Sequence, residues 1–347
     1  MGGSFHAHGP ISEMIAIDDL RVSLVLAGGN ALGAFQAGVY QALHEHGIEP
    51  NHVVGTSAGA VNAGNPPAAR LAALSDLWRP LAQETGWPMW WDALPEDWRR
   101  TRDVIGTMLA GRPGLFRGVG SGADGHGGAT PAIYDARPLQ QSLDRLVDFD
   151  RIAAGPTRFA ALAVDLDSGE EALFDSATRT LDARHVRASA AMPPTFPAVE
   201  IDDRAYVDGG LSANLPLDPA LSPLNGPPTL CIAVDLMPLL GKRPDSIGAV
   251  VGRTQDLVFG CQSRRSIARW RSAYAHDPRR SGQSVTLVRL SYADQSREVA
   301  GKAMDFSPAT IRDRWNAGHR AGAAMLRDLD GGKIVLGRAG LAFQDLD

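Results

Sequence analysis

A serine with a glycine two residues to either side, Gly55-Thr56-Ser57-Ala58-Gly59, is the stretch of this chain best suited to chemistry. On a sharp strand-to-helix turn a serine is held in strained backbone geometry with its hydroxyl exposed, and glycines at those two positions avoid clashes. The context fits such a turn: the short apolar run 52–54 precedes it, and Ala60, Val61 and Ala63 continue helically behind it. The helix would aim its N-terminus at a developing oxyanion or acyl carbonyl. The plain alternative is a turn that happens to hold a serine in a chain with 38 glycines.

Gly28-Gly29-Asn30-Ala31-Leu32-Gly33 also joins an apolar run to a helical one. Its backbone amides could cradle a phosphate or form an oxyanion hole. The dinucleotide fingerprint fails, because Asn30 takes the second glycine position and the next strand ends in Gly55-Thr56-Ser57 rather than an acid. No Gly-Lys-Ser/Thr follows, so it is not a P-loop. An oxyanion hole from Gly28, Gly29 and Asn30 is the better functional reading, beside a simple tight turn.

A nucleophilic serine needs a proton acceptor. In an α/β-hydrolase a histidine follows the serine, and His276 or His319 would be the most plausible here. His185 and His319 lie in helical segments and His276 in a polar, charged stretch; none sits in an obvious strand-end loop. Val207-Asp208-Gly209-Gly210 instead sets a carboxylate directly after a strand, before glycines that allow close backbone approach. Asp165 and Asp235 also end apolar strands, so position alone leaves three carboxylates open.

The elements that must position these groups alternate. Strands are expected at 21–27, 52–54, 159–165, 205–207, 230–236 and 285–290, and helices at 30–46, 138–147 and 247–270. Gly47 reads as a C-cap, and Ser307-Pro308 starts a further helix. This order predicts a three-layer α/β/α fold with a mostly parallel central sheet. Residues 1–19 read as a loose arm, 20–330 as one domain with an insertion at about 86–131 and a helical extension from about 300, and 331–347 as a tail.

Composition narrows the function. The chain has 347 residues, 44% hydrophobic, with a formal net charge of −5, which gives no electrostatic case for nucleic acid, since that would call for a basic face. Cys231 and Cys261 read as free thiols suited to a reducing cytoplasm. Residues 1–19 lack a secretory pattern, His6 stands where a myristoylation signal needs Ser or Thr, and no apolar run is long enough to span a bilayer. Any membrane contact is therefore expected to be peripheral. The scattered histidines give no metal-ligand spacing, and neither a metal nor another cofactor is expected.

Together the glycine loop, the serine elbow some two dozen residues later and the Asp-Gly-Gly resemble the patatin-like phospholipases. The lead-up Ala188-Ser189-Ala190-Ala191-Met192-Pro193-Pro194, on to Phe196-Pro197, resembles that family's approach to its catalytic aspartate. The similarity runs from about residue 20 to 236, and Asp305-Phe306-Ser307 with its helix looks like the C-terminal extension of a bacterial subgroup. The resemblance implies a Ser57–Asp208 dyad without histidine, an oxyanion held near Gly28, Gly29 and Asn30, and a fatty-acyl ester or phospholipid as substrate. Gly33, Gly55, Gly59, Gly209 and Gly210 would support these motifs. The chain departs from the family at Asn30, usually glycine, and at Leu32, usually Lys or Arg. Those departures keep a non-catalytic lipid-binding relative in view beside the esterase.

Trp87, Met89, Trp90, Trp91, Leu94 and Trp98 crowd beside Arg99, Arg100 and Arg102. With Trp87, Trp90 and Trp91 foremost, the stretch reads as a lid over an acyl pocket, its rings entering apolar surroundings and its cations near headgroups. Equally, the rings could cap one end of the core.

Overall fold

The computed structural model describes residues 17–64, 67–81, 95–118 and 130–346. Its strands are β1 (Arg21–Leu26), β2 (His52–Thr56), β3 (Gly111–Arg112), β4 (Phe116–Gly118), β5 (Tyr134–Asp135), β6 (Arg158–Asp165), β7 (Glu171–Asp175), β8 (Val199–Ile201), β9 (Arg204–Asp208), β10 (Thr229–Asp235), β11 (Ser284–Ser291) and β12 (Gly340–Leu346). The helices are α1 (Ala34–Glu45), α2 (Ala58–Ala63), α3 (Pro67–Leu81), α4 (Glu96–Ala110), α5 (Arg137–Leu146), α6 (Phe149–Ala154), α7 (Ala183–Ser189), α8 (Asp218–Leu221), α9 (Ile247–His276) and α10 (Pro308–Asp330).

The main sheet has the order β12-β11-β10-β1-β2-β6-β9-β8, with β7 also paired to β6. From β12 to β6 every neighbouring pair is parallel, and β7, β9 and β8 join antiparallel. Helices cover both sides, giving the three-layer α/β/α architecture with a mostly parallel sheet. The central strands are apolar throughout because a doubly covered parallel sheet exposes neither face. Val25, Val53, Val54, Ala161, Ile232, Val234 and Leu287 are fully buried.

The expected strands form with their ends shifted by a residue or two. The segment 30–46 does not start as an α-helix: Asn30, at φ 50°, opens a 3-10 turn over Asn30–Gly33 before α1 begins. Gly47 ends α1 at φ 78°, and the Ser307 hydroxyl caps α10 by accepting from the Thr310 amide. The stretch 331–347, expected as a tail, holds β12, which pairs in parallel with β11 from Ser284↔Gly340 to Leu290↔Leu346. Its short, half-buried edge strand follows glycine-rich sequence and lacks the fully apolar run of an interior strand. The arm 1–16 lies outside the described residues, while Ile17–Asp19 forms a 3-10 turn leading into β1.

Helix α10 lies against α1 at backbone contact distance. A Cβ on Gly38 would sit 1.9 Å from the Trp315 carbonyl oxygen, and one on Gly318 would sit 1.9 Å from that of Phe35. Glycine here serves close approach and not turn geometry. By contrast, a Cβ on Gly252 in α9 would meet nothing within 4 Å. Gly318→Ala should therefore destabilise the fold by about 1–3 kcal/mol through overpacking. Gly252→Ala should stabilise it by about 0.5–1 kcal/mol through reduced backbone entropy. Urea unfolding of both variants checks the opposite signs.

Candidate active site

Strand register brings the three motifs to one level. Leu26 lies beside Gly55 and Thr56 beside Leu162, so the chain two residues beyond each of Leu26 and Gly55, Gly28 and Ser57, leaves the carboxyl edge together. β9 descends antiparallel on β6 and sets Asp208 beside Ala163, the same level again. The carboxyl edge of an open parallel sheet is where such folds bind ligands.

Ser57 has φ 56° and ψ −123°, a geometry that costs a non-glycine residue about 1–3 kcal/mol. Both flanking glycines are required by backbone approach. A Cβ on Gly55 would lie 2.3 Å from the Gly59 carbonyl carbon, and one on Gly59 would lie 2.1 Å from the Leu26 oxygen. Buried partners hold the turn: the Ser57 amide donates to Ser189 Oγ at 3.0 Å, and Thr56 Oγ1 donates to the Ala213 carbonyl at 3.0 Å.

A second set of buried groups fixes the glycine loop. Gln36 Nε2 donates to the Ala27 carbonyl at 2.7 Å; Asn62 Nδ2 donates to the Gly33 carbonyl and to Gln36 Oε1, each at 2.9 Å; Trp78 Nε1 donates to Asn62 Oδ1 at 3.0 Å. Asn214 bonds Gly28 twice, accepting its amide at 3.0 Å and donating Nδ2 to its carbonyl at 3.1 Å. The Gly28 amide, expected in the oxyanion hole, is thus engaged. Among the described residues the Gly29 and Asn30 amides have no such partner. Asn30 tolerates its left-handed backbone better than most side chains would, and its Nδ2 meets Met304 Sδ at 3.4 Å. Leu32 is wholly buried, so the position that usually carries a cation in the family is a core position here.

The structure distinguishes the three carboxylates. Asp165 closes a turn, accepting from the Ser168 amide at 2.9 Å and pairing with Arg204 at 2.7 Å. Asp235 is buried beside Arg289 at 3.6 Å. Only Asp208 of the three lines the cleft that contains Ser57. Its amide donates to the Ala191 carbonyl at 3.1 Å and its Oδ1 accepts from the Gly210 amide at 2.7 Å. Oδ2 is buried without a hydrogen-bond partner among the described residues. Burial pushes the carboxyl up to about 7, against the opposing pull of the Ser57 hydroxyl and the Gly210 amide.

The empty space of that cleft, its open mouth included, is about 1000 Å³. Its walls are mainly apolar, with Val61, Leu77, Leu139, Phe116, Phe196 and Phe306 prominent. None of the described residues lining it is a histidine. His276 bonds the Ser272 carbonyl within its own helix at 2.9 Å, and His319 pairs with Glu45 at 2.6 Å. His185 completes the N-terminal cap of α7 with Asp182.

Sequence reasoning missed Asn214, Gln262 and Met304, and it quoted Ser189 and Phe306 within motifs without giving either a role. Gln262 on α9 accepts the Asn214 amide at 3.0 Å and donates to the Gly210 carbonyl at 3.2 Å, bracing the loop after β9 from which Asn214 reaches Gly28. Met304 and Phe306 reach the cleft from a segment anchored by wholly buried Arg314. Its guanidinium bonds Glu298 at 2.6 Å, the Lys302 carbonyl at 2.8 Å and the Asp305 carbonyl at 3.0 Å. Lys302 in turn meets Asp256 of α9 at 2.6 Å. A polar residue inside an otherwise apolar helical face, as Arg314 is, was the available signal.

Trp87, Met89, Trp90, Trp91 and Leu94 lie outside the described residues, as do 119–129 of the glycine-rich loop. Trp98 is exposed on α4. The neighbouring cations do not point to headgroups: Arg100 is buried against Glu96 and Asp313, and Arg102 pairs with Asp103 at 2.8 Å. Among the described residues no three His, Cys, Asp or Glu side chains are grouped to hold a metal, and no helix is long and apolar enough to cross a membrane.

The family model described as patatin-like phospholipase matches residues 24–221, and one described as patatin phospholipase matches 262–331. Uncharacterized NTE family proteins of Mycobacterium tuberculosis and Mycobacterium bovis are 27% identical over 215 residues, covering 62% of this chain. The chain spans about half the length of these curated relatives, with 49% of each covered. Among solved structures, VipD from Legionella pneumophila aligns at 14% identity over 89% of this chain and 67% of its own, with a TM-score of 0.42. ExoU of Pseudomonas aeruginosa, in complex with SpcU, aligns at 14% identity over 90% and 53%, with a TM-score of 0.34.

The Asp208 environment has a consequence for stability that needs no substrate. Its folded pKa of about 7 lies above the ordinary 3.8, so between those values the folded chain holds a proton that the unfolded chain has lost. Stability then falls as pH rises through that window. Asp208→Asn should flatten this fall, and Asp235, raised by burial to about 6, should leave a residual slope of the same sign. Urea unfolding of both proteins across the window measures it.

Proposed function

The chain belongs to the patatin-like phospholipase family, and from that premise we propose that it is a lipid acyl hydrolase working through a Ser57–Asp208 dyad. The observation that carries the reading is the buried Asp208 carboxyl, facing the strained Ser57 in an apolar cleft that no histidine lines among the described residues. In the ionised form Asp208 takes the proton of the Ser57 hydroxyl as Oγ attacks the acyl carbonyl. The Gly29 and Asn30 amides receive the developing oxyanion. The tetrahedral intermediate collapses, and Asp208 returns the proton to the leaving alcohol. A water then enters, Asp208 accepts its proton as the water oxygen bonds the acyl carbon, and Asp208 returns that proton to Ser57 Oγ as the acyl–Oγ bond breaks and the fatty acid is released. A carboxylate is ordinarily a weak base, and a pKa near 7 brings it into the range where general-base catalysis is efficient at neutral pH.

The apolar cleft suits a fatty-acyl chain, and peripheral contact with a membrane would give it access to phospholipid. The Trp-rich stretch remains a lid hypothesis: replacement of Trp90 and Trp91 should lower long-chain ester turnover and liposome binding, and unchanged values for both would end it.

Labelling with a fluorophosphonate probe, followed by peptide mapping, tests the dyad. Modification should fall on Ser57, disappear in Asp208→Asn and persist in His276→Ala and His319→Ala; loss in either histidine variant would instead support a Ser-His-Asp esterase. Ser57→Ala should lower ester turnover by roughly 10⁴-fold or more, and Asp208→Asn by about 10²–10⁴-fold. In the wild type kcat/KM should rise with pH through an apparent pKa near 7, because only the ionised carboxylate accepts the proton.

A further inference from the structure

We infer that the outward stripes of α4 and of the first half of α9, near the cleft mouth, form a docking surface for an anionic lipid membrane; the choice of occupant rests on the lipid-hydrolase reading. Of sixteen large apolar side chains exposed among the described residues, ten lie on α4 or between Leu240 and Val258. That concentration is not the scatter of an ordinary surface. On α4 the exposed positions are Trp98, Ile105, Met108 and Leu109, opposite the buried Arg100, Val104 and Thr107. On α9 they are Ile247, Val250, Val251, Leu257 and Val258, opposite the buried Asp256, Gly260 and Ser263. Each set recurs at helical spacing, and the faces opposite bury polar Arg100 and Thr107 on α4 and Asp256 and Ser263 on α9.

The two stripes meet at one place. A Cβ on Gly301 would lie 3.4 Å from Met108 Cε, and one on Gly248 would lie 3.2 Å from Ala300 Cβ, so both helices flank the same two residues. The next residues, Ala303 and Met304, line the cleft with Gln255 and Phe259 of α9. Gln255 is exposed and lines the cleft at once, which puts the mouth beside the α9 stripe.

Charge selects the occupant. The loop leading into α9 carries exposed Lys242 and Arg243 against the single carboxylate Asp245, and its Leu240 is 87% exposed. Apolar side chains flanked by cations are what an interface rich in anionic headgroups retains. A lipid drawn from such a surface would enter the cleft acyl chain first, without crossing water.

Cosedimentation of the whole chain with phosphatidylcholine vesicles, with and without phosphatidylglycerol, tests this. Wild type should bind the mixed vesicles more tightly, by about fivefold for each of Lys242 and Arg243, and lose that margin in high salt or in Lys242→Glu/Arg243→Glu. Ile247→Asp/Val251→Asp and Ile105→Asp/Leu109→Asp should each lower vesicle binding by roughly tenfold or more. The same variants should keep wild-type turnover of a water-soluble short-chain ester, which also reports that they are folded. Undiminished vesicle binding in both aspartate pairs would overturn the inference. So would sedimentation showing a wild-type dimer that these substitutions dissociate, since the stripes would then be an interface between copies. Because vesicle binding is read without turnover, Ser57→Ala that binds normally but hydrolyses nothing supports the surface, whereas wild type that binds and hydrolyses no ester fails only the hydrolase reading.

Discussion

The backbone of Ser57 stands in a conformation that only its surroundings can maintain. At φ 56° an isolated serine would relax, so the turn depends on contacts that leave it no room. Those contacts are nearly all backbone against backbone: Gly55 against Gly59, and Gly59 against Leu26 of the neighbouring strand. Such distances need β1 and β2 held in one register, and that register rests on an apolar sheet buried on both faces. The chemistry at the elbow is therefore tied to packing far from it. Strain at Ser57 is stored by the fold as a whole, with Ser189 and Thr56 supplying the local hydrogen bonds that steer it.

The same burial sets the electrostatics. Asp208 is wholly buried, no cation among the described residues offsets its charge, and its Oδ2 has no hydrogen-bond partner among them. An unsatisfied buried acceptor is costly, which makes it ready to take a proton. A histidine would need a partner of its own for orientation, whereas the Asp208 carboxylate is oriented by the Gly210 amide and its own strand. Gln262 and Asn214 extend this logic, spanning the loops that follow β1 and β9 so that acid and glycine loop move as one unit.

What could be read in the sequence follows from the range of the forces involved. The parallel strands were legible because a doubly covered strand must be apolar along its whole length, and the elbow because Gly55 and Gly59 answer a local steric demand. Strand β12 was not, since an edge strand needs only a half-buried face and reads like a tail. Nor was the choice among Asp165, Asp208 and Asp235, which end apolar strands alike in sequence. Only antiparallel pairing of β9 on β6 brings Asp208 down beside Ser57. Likewise the Gly28 amide looked free until Asn214, 186 residues away, was seen to occupy it.

The C-terminal segment carries this argument furthest. A fully buried arginine is retained at a desolvation cost unless its partners are fixed, and Arg314 has four contacts to Glu298, Lys302 and Asp305. With Lys302 bound to Asp256 of α9, the network clamps residues 302–306 between α9 and α10. Met304 then meets Asn30 in the glycine loop, and Phe306 stacks with Trp78, which itself holds Asn62. A residue in the glycine loop and one wall of the cleft thus rest on side chains nearly three hundred positions downstream. Asn30 in place of a glycine fits that arrangement: its side chain spans the gap to Met304 and couples the loop to the clamp. The helical extension is accordingly part of the site's construction, since without it the cleft would lose a wall and Asn30 its contact.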